Sequence, residues 1–440
     1  MKRLVTLMLA AMMTLSMAAT ASALEINVKG NFHFSFRWDD QVGSKFQDKE
    51  EDNFLARQRM RIQIDFVASE NLKGVLYMHS GNMFWGNSDQ GAALDTTKNS
   101  MKVRHAYIDW TPVDTALNVK IGLQQVTSPA FAAGSTFTND AMAGITLSNK
   151  FSDNVTATLG WYRPYNDNKK IKDSMDMFMF TLPLNFDGVK ITPWGEYSFI
   201  GRDAEVAYQA GPFTEKRAMW HAGVATEFNP IDPLTIAFDF TYGAIDSKNS
   251  DPEADGFLAA TLITFDVDFS KLMLGAWYAS GHDKDDYAKG EYGTMPNLLG
   301  TTGNADPGFN MTGLGFWGNN TPLAGAGIIN KSGVGTWGIM LGMKDLSFVT
   351  DLSHMIRVAY YEGTSDKEVR GVYAQQNDIF MNEKDSAFEI NFDTKYQIAK
   401  GLSMSLDTGI VFMDWQSSYE KANNLNDTMW RIVFGVQYAF

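Results

Sequence analysis

Residues 430 to 440 read Trp430-Arg431-Ile432-Val433-Phe434-Gly435-Val436-Gln437-Tyr438-Ala439-Phe440, and this stretch decides the fold. In an extended strand, successive side chains point to opposite faces. One face then holds Trp430, Ile432, Phe434, Val436, Tyr438 and Phe440, whereas the other holds Arg431, Val433, Gly435, Gln437 and Ala439. Apolar side chains toward lipid, alternating with polar or small ones toward a lumen, are typical of a transmembrane β-barrel strand. A half-buried strand of a soluble domain has the same period, so the other end of the chain is needed to decide.

The amino-terminal segment predicts export. Lys2 and Arg3 precede an apolar stretch from Leu4 to about Ala19, and Ala21-Ser22-Ala23 follows as an A-x-A cleavage site. This pattern predicts a signal peptide over residues 1–23 and a single barrel domain over residues 24–440. No later window offers the roughly 18 apolar residues that a spanning helix needs. We therefore expect an exported chain that enters a membrane as strands.

The composition agrees with a barrel. The chain has 440 residues, a formal net charge of −14, 13% aromatic residues and no cysteine. The absence of cysteine excludes a disulfide-stapled secreted fold, thiolate metal sites and thiol catalysis. The mean hydropathy is only −0.21 despite the many aromatic residues, as expected when apolar side chains form only an outer band.

The same alternation recurs along the chain. In the first mature segment Ile26, Val28, Phe32, Phe34, Phe36 and Trp38 share one face, and Asn27, Lys29, Asn31, His33, Ser35 and Arg37 share the other. In the next segment Met60, Ile62 and Ile64 oppose Arg57, Arg59 and Arg61. At helical spacing these charges would spread around the axis, so strands are favoured. Further strands are predicted near 117–123, 155–161, 178–184, 220–224, 234–242, 388–396 and 402–412.

The connections alternate between short and long. Short turns rich in Pro, Asn, Asp and Gly are predicted at 69–72, 111–114, 152–154, 185–188, 229–233 and 399–401. Long polar loops are predicted near 39–53, 81–100, 125–142, 164–175, 200–216, 246–256, 281–335, 363–385 and 414–427. Short turns at one end and long loops at the other are the outer-membrane arrangement. Nine long loops predict an all-β, antiparallel barrel of about 18 strands, with 16 still open because the strands near 72–80, 257–269 and 335–343 are poorly defined.

The sequence offers no motif for catalysis. It contains no phosphate loop, H-E-x-x-H, G-x-S-x-G or dinucleotide fingerprint, and its six histidines are scattered. The run Asp283-Lys284-Asp285-Asp286 lacks the Gly and the final Glu of a calcium loop, so a solvated acidic loop is favoured. We therefore predict no enzyme activity, no cofactor, no metal and no nucleic-acid partner, with a barrel hydrolase as an alternative.

The most informative charged residues are Arg57, Arg59 and Arg61, which share one strand face. An arginine facing lipid costs about 2–4 kcal/mol at the bilayer midplane, so the cheaper assignment points all three into the lumen. The candidate pore-lining residues are Lys29, His33, Arg37, Arg57, Arg59, Arg61, Lys120 and Asp140. These charges either solvate a wide interior or form an electrostatic ladder that attracts anions, because fields are focused inside a low-dielectric wall.

The leader, the alternating strands, the terminal Phe440 and the basic ladder resemble the trimeric general porins. The mature chain is most similar overall to the outer membrane homotrimeric porins of sulfate-reducing bacteria of the Desulfovibrio type. This resemblance implies a Gram-negative outer-membrane channel for passive diffusion, assembled as a homotrimer. It also implies outer-membrane lipid, lipopolysaccharide and the barrel-assembly machinery as partners, with small anions and solutes in transit.

The resemblance further implies two local features. The third outer loop, Gln125 to Asp140, should fold into the lumen, and its single acid, Asp140, tilts the expectation toward anions. The closing strand should act as an assembly signal through Trp430, Phe434, Tyr438 and Phe440. A substrate-selective channel and a structural surface protein stay open as alternatives. A ligand-gated receptor is disfavoured because no plug domain precedes the first strand.

Overall fold

The computed structural model describes residues 24–39, 53–88, 93–94, 101–135, 137–166, 174–202, 216–246, 253–296, 335–369, 381–416 and 427–440. The first ten strands are β1 Glu25–Asp39, β2 Asn53–Ser69, β3 Leu72–Phe84, β4 Met101–Trp110, β5 Leu117–Thr127, β6 Asn139–Lys150, β7 Thr156–Asn166, β8 Ser174–Thr181, β9 Leu184–Phe186 and β10 Val189–Ile200. The others are β11 Arg217–Ile231, β12 Leu234–Ile245, β13 Glu253–Val267, β14 Ser270–Ala279, β15 Glu291–Tyr292, β16 Thr336–Val349, β17 Leu352–Gly363, β18 Ser386–Ala399, β19 Leu402–Asp414 and β20 Thr428–Ala439. One short helix, α1 Lys284–Tyr287, lies between β14 and β15. The predicted signal peptide and most of the predicted first loop lie outside the described residues.

The strands close into a barrel because β1 pairs with both β2 and β20. Strands β8 and β9 share one place in the wall, since both pair with β10. The two-residue β15 runs parallel to β13 and belongs to an outer loop. The wall therefore has 18 antiparallel strands, which confirms the predicted fold and decides for 18 over 16. No helix among the described residues is both long and apolar enough to cross a membrane.

The break between β8 and β9 has a simple cause. Pro183 has no backbone N–H, so it cannot donate to a neighbouring strand. The ladder resumes at Leu184, which pairs with Ile191 of β10. Pro193 stays inside β10, where its carbonyl accepts from the Leu182 N–H at 3.0 Å. The two prolines therefore interrupt the hairpin without ending it.

The connections follow the predicted alternation. All six predicted short turns join paired strands, and two more lie at 268–269 and 350–351. Four of the short turns use left-handed backbone, at Asp114 (φ 61°), Gly188 (φ 70°), Asp351 (φ 63°) and Gly401 (φ 77°). Some predicted loops were too wide, because β3 continues to Phe84 and the third loop spans only 128–138. The strands with the least clear alternation, β3, β13 and β16, are 13, 15 and 14 residues long.

Exposure separates the two faces of the wall. Along β14, Leu272 and Leu274 are 39% and 36% exposed, whereas Met273 between them is 3% exposed. The outward side chains are apolar on nearly every strand, as a lipid-facing surface requires. The inward side chains are buried by one another and by loops that enter the barrel, and these side chains form the candidate site.

Candidate functional site: the inward-facing wall

A basic wall, formed by Arg37, Arg57, Arg59, Arg61 and Arg431, lies on the inward face of three adjacent strands, β20, β1 and β2. Arg57 Nε donates to Ser35 Oγ at 3.2 Å, and Arg61 Nε donates to His79 Nδ1 at 3.3 Å. Exposure differs along this wall, because Arg57 and Arg431 are 7% and 1% exposed whereas Arg59 and Arg61 are half-buried. The three arginines of β2 therefore share one face, as their spacing predicted.

Nearer the short turns, the inward face carries both signs of charge. Lys29 Nζ lies 3.7 Å from Asp65 Oδ2, and its side chain is 64% exposed. Lys73 pairs with Asp109 at 3.7 Å. Lys120 Nζ lies 5.8 Å from the centre of the Tyr107 ring, a cation–π distance. The predicted candidates Lys29 and Lys120 thus share one end of the barrel, where their neighbours offset part of their charge.

The third outer loop folds into the barrel, as the resemblance implied. The N–H groups of Phe131, Ala132 and Ala133 donate to the Asp239 carboxylate of β12 at 2.7, 2.7 and 2.8 Å. Hydrogen bonds to a charged acceptor are stronger than neutral ones. Ala132 and Ala133 are completely buried against the apolar inward patch of β13 and β14. The small side chains at the tip allow this close approach.

A second contact fixes the other limb of the loop. The Phe137 ring lies 3.9 Å from the His221 ring and stacks on Trp194 at 6.2 Å. His221 Nδ1 lies 3.0 Å from Glu196 Oε2, and its Nε2 lies 2.7 Å from the Pro296 carbonyl oxygen. His221 therefore connects the third loop to the segment after β15. The predicted candidate Asp140 lies at the start of β6, where its carboxylate is 3.9 Å from Arg104 Nη2.

An acidic group on the inward face of β17 to β19 was not predicted. Arg357 Nη2 donates to Asp393 Oδ2 at 2.8 Å, and Tyr361 Oη donates to Glu389 Oε2 at 3.1 Å. Asp407 is 3% exposed and is the cross-strand partner of Asp393. The sequence predicted a strand near 388–396, and the polar residues that alternate with Phe388, Ile390 and Phe392 were the signal that could have placed this group in the lumen.

A methionine-rich inward surface was also missed. Met175, Met177 and Met179 of β8 are at most 5% exposed, whereas Phe178 and Phe180 at alternate positions face outward. They pack with Met142, Met219 and Trp194 behind the third loop. Apolar inward residues weaken the alternation on which the prediction depended, because both faces of β8 are then apolar.

The closing strand holds the predicted assembly residues. Trp430, Phe434, Tyr438 and Phe440 share the outward face of the closing segment. Phe434 stacks on Phe36 at 6.1 Å. The backbone N–H and C=O of Phe440 each bond Gly30 at 3.0 Å, and its ring lies 6.0 Å from Phe32. Phe440 therefore extends the seam between the first and last strands.

The acidic run in the outer loop has a structural role. Asp283 caps α1, and its Oδ1 accepts from the N–H groups of Asp285 and Asp286 at 2.8 and 3.3 Å. The buried His282 beside it has a pKa lowered to about 4 by desolvation. In the part of the chain that the structure describes, no three His, Asp or Glu side chains form a metal site.

A closed wall of 18 strands, with short turns at one end and a third loop folded inward, is also the fold of solved outer-membrane porins. The family model for the Campylobacter major outer membrane protein matches residues 1–177. Sequence comparison with curated proteins gives no match.

Several solved porin structures have the same fold. Acinetobacter baumannii OccAB3 has a TM-score of 0.58 at 12% identity, over 94% of this chain and 99% of that one. A BenF-like porin from Pseudomonas fluorescens Pf-5 has a TM-score of 0.58 at 10% identity, over 94% and 99%. Pseudomonas aeruginosa OccK2 (OpdF), solved in complex with glucuronate, has a TM-score of 0.57 at 12% identity, over 94% and 98%.

Proposed function

We propose that this protein is a water-filled channel of the Gram-negative outer membrane that passes small hydrophilic solutes by diffusion and favours anions. The observation that carries the proposal is the basic wall on the inward face of a closed barrel. The hydrogen bonds described for Arg57 and Arg61 go to neutral groups, a serine hydroxyl and an imidazole. Arg59 and Arg61 keep part of their surface exposed on the inward face, where their positive charge can act on a passing ion.

The shape of the interior supports the same proposal. The third loop and the apolar inward patch fill the side of the barrel around β10 to β14. The basic wall lies on the other side of the strand order, where Arg59 and Arg61 keep part of their surface exposed. A solute that crosses the barrel would thus pass near guanidinium groups, whose field is focused by the low-dielectric wall. One structural neighbour, OccK2, was solved with glucuronate, itself an anion.

The test is conductance of the purified protein in a planar lipid bilayer. We expect discrete ohmic channels whose zero-current potential under a salt gradient indicates anion preference. Replacing Arg57, Arg59 and Arg61 together with Ser should move this potential toward cation selectivity, and more strongly at low salt, where screening is weaker. The control is Lys289→Ser, which removes one positive charge from an outer loop, where Lys289 pairs with Asp286 at 3.0 Å. Absence of channels would contradict the diffusion function, and an unchanged potential at low salt would contradict the anion preference.

A substrate-selective channel is the second candidate, favoured by the aromatic rings beside the basic wall. His105 lies 5.0 Å from the Tyr77 ring and 6.5 Å from the Tyr107 ring. Rings and cations in one path can bind a solute that carries both an apolar and an anionic part. Saturation of the current at rising solute concentration would distinguish this function from free diffusion, in which flux stays proportional to concentration.

The proposal extends to processing and assembly. We infer cleavage of residues 1–23 on export, folding by the barrel-assembly machinery, contact with lipopolysaccharide, and a homotrimer of the Desulfovibrio type. Mass measurement of the native protein in mild detergent, with terminal sequencing of the mature chain, tests both the trimer and the cleavage. A mass of one chain would contradict the trimer.

A further inference from the structure

Two arginines of the basic wall each face a histidine on the neighbouring strand. Arg59 is the cross-strand partner of His33 on β1, and Arg61 is the partner of His79 on β3. Arg59 Nη2 lies 3.4 Å from His33 Nδ1, and Arg61 Nε donates to His79 Nδ1 at 3.3 Å. Arg59 and Arg61 are two residues apart on β2, so both pairs lie on the inward face.

The hydrogen bonds fix the state of the His79 ring. Its Nε2 lies 3.1 Å from the Gly81 carbonyl oxygen, which can only accept, so Nε2 carries a proton. Arginine has no acceptor, so Nδ1 must supply a lone pair to Arg61. Both contacts are satisfied only by the neutral tautomer with its proton on Nε2. In the same way, His33 Nδ1 can approach Arg59 favourably only as an acceptor.

We propose that His33 and His79 are positioning residues for the permeation path: as neutral acceptors they hold the guanidinium groups of Arg59 and Arg61 against the wall, and on protonation they release them into the lumen. This inference rests on the proposed channel function and adds regulation to it. A protonated imidazole loses its lone pair and becomes a cation beside an arginine, so attraction turns into repulsion. Acidification then adds positive charge to the wall and moves the guanidinium groups toward passing ions. Both effects strengthen the preference for anions.

The contribution of the two histidines to the pH dependence must be distinguished from that of the charged groups around them. The titratable and charged side chains that face the pair from adjoining strands are Lys29 and Arg37 on β1, Arg57 and Asp65 on β2, Tyr77 on β3, and Lys102, Arg104 and His105 on β4. His354 on β17 is the matched control, because its Nδ1 lies 2.9 Å from Thr394 Oγ1 and its ring stacks on Phe392, which faces outward. All other charged side chains are the same in every histidine variant, so a difference between pH curves reports on the histidines.

The experiment compares zero-current potentials under a salt gradient from about pH 8 to about pH 3, a range that extends well below the unperturbed histidine pKa of about 6.5. The wild-type channel should become more anion-selective as the pH falls. The double variant His33→Asn and His79→Asn keeps an acceptor oxygen but cannot be protonated. It should match the wild type at the alkaline end and show a flattened pH curve, whereas His354→Asn should keep the wild-type curve.

A second double variant, His33→Leu and His79→Leu, removes the acceptors, so its potential should differ from the wild type at every pH. An Asn double variant with the full wild-type pH curve would overturn the proposal, as would a folded Leu double variant with the wild-type potential at alkaline pH. If the Leu variant does not fold, the pH curve of the Asn variant decides alone. Failure of the channel function itself has a different signature, because the wild-type protein would then give no conductance.

Discussion

At the scale of single residues, exposure distinguishes arginines that share one strand face. Arg57 is 7% exposed, whereas Arg59 and Arg61 are half-buried, although all three point inward. A guanidinium group that is buried in protein lies farther from the water of the channel. A partly exposed guanidinium group lies beside that water and acts more strongly on ions that pass. The basic wall therefore has a buried end near Arg57 and Arg431 and an accessible end near Arg59 and Arg61.

The first prediction follows from this gradient. Arg59→Ser and Arg61→Ser should each shift the zero-current potential toward cation selectivity more than Arg57→Ser does, because ions pass closer to the exposed guanidinium groups. The measurement is single-channel recording at low ionic strength, with each variant compared at the same salt gradient. A larger shift for Arg57→Ser would mean that the ion path runs behind the third loop and not along the exposed end.

The second prediction concerns the pair Arg357 and Asp393, whose closest atoms are 2.8 Å apart. Arg357→Met should destabilise the barrel by about 3–5 kcal/mol, because it leaves an uncompensated carboxylate in a buried site. The double variant Arg357→Met and Asp393→Leu should recover most of this loss, since replacing both members of a buried pair is often nearly neutral. Denaturant unfolding in detergent measures both free energies, and a double variant no more stable than the single one would contradict the explanation.

At the scale of elements, the third loop is held by a carboxylate more than a hundred residues away in sequence. Asp239 accepts three consecutive N–H groups from the loop tip, and 108 residues separate it from Phe131. Replacing it removes hydrogen bonds worth about 1.5–3 kcal/mol each when one partner is charged. The loop then loses the contact that fixes its tip across the lumen.

We therefore predict that Asp239→Leu gives channels with larger or fluctuating conductance and unchanged barrel content. Single-channel recording measures the first property and circular dichroism the second. Asp266→Leu is the matched control. Asp266 is an exposed carboxylate near a short turn, and its Oδ1 lies 2.7 Å from Lys271 Nζ. Equal, steady conductance for Asp239→Leu and the wild type would mean that apolar packing alone holds the loop.

The same element shows what the sequence could and could not predict. Alternation within a strand is local, so the inward face of β2 and the number of outer loops were predictable from residue order. The docking site of the third loop depends on a distant strand, and Asp239 stands among Phe238 and Phe240 with no local sign of its partner. The inward methionines of β8 were missed because a lumen filled by a loop can be apolar, which removes the contrast between faces.

At the scale of the whole molecule, net charge and local field have opposite signs. The chain carries a formal net charge of −14, yet five arginines line adjacent inward positions on β20, β1 and β2. Charges in exposed loops are screened within about 8 Å at physiological salt. The selectivity of such a channel therefore depends on the residues that face the path, and the total charge of the chain is a poor guide to it.

Closure of the barrel gives the last prediction. A sheet with unpaired edges exposes a row of N–H and C=O groups, and only pairing of the last strand with the first removes both edges. Phe440 adds two backbone hydrogen bonds to Gly30, each 3.0 Å long, and covers Gly30 with its ring. Deleting Phe440 should therefore lower the amount of folded, surface-exposed protein while export across the inner membrane continues. Heat-modifiable mobility and surface labelling measure the folded fraction.

Phe348→Ala is the control for this deletion. Phe348 is an aromatic residue beside a short turn, is 75% exposed and lies far from the seam. Wild-type levels of folded protein after deletion would show that pairing between β1 and β20 is sufficient without the terminal ring.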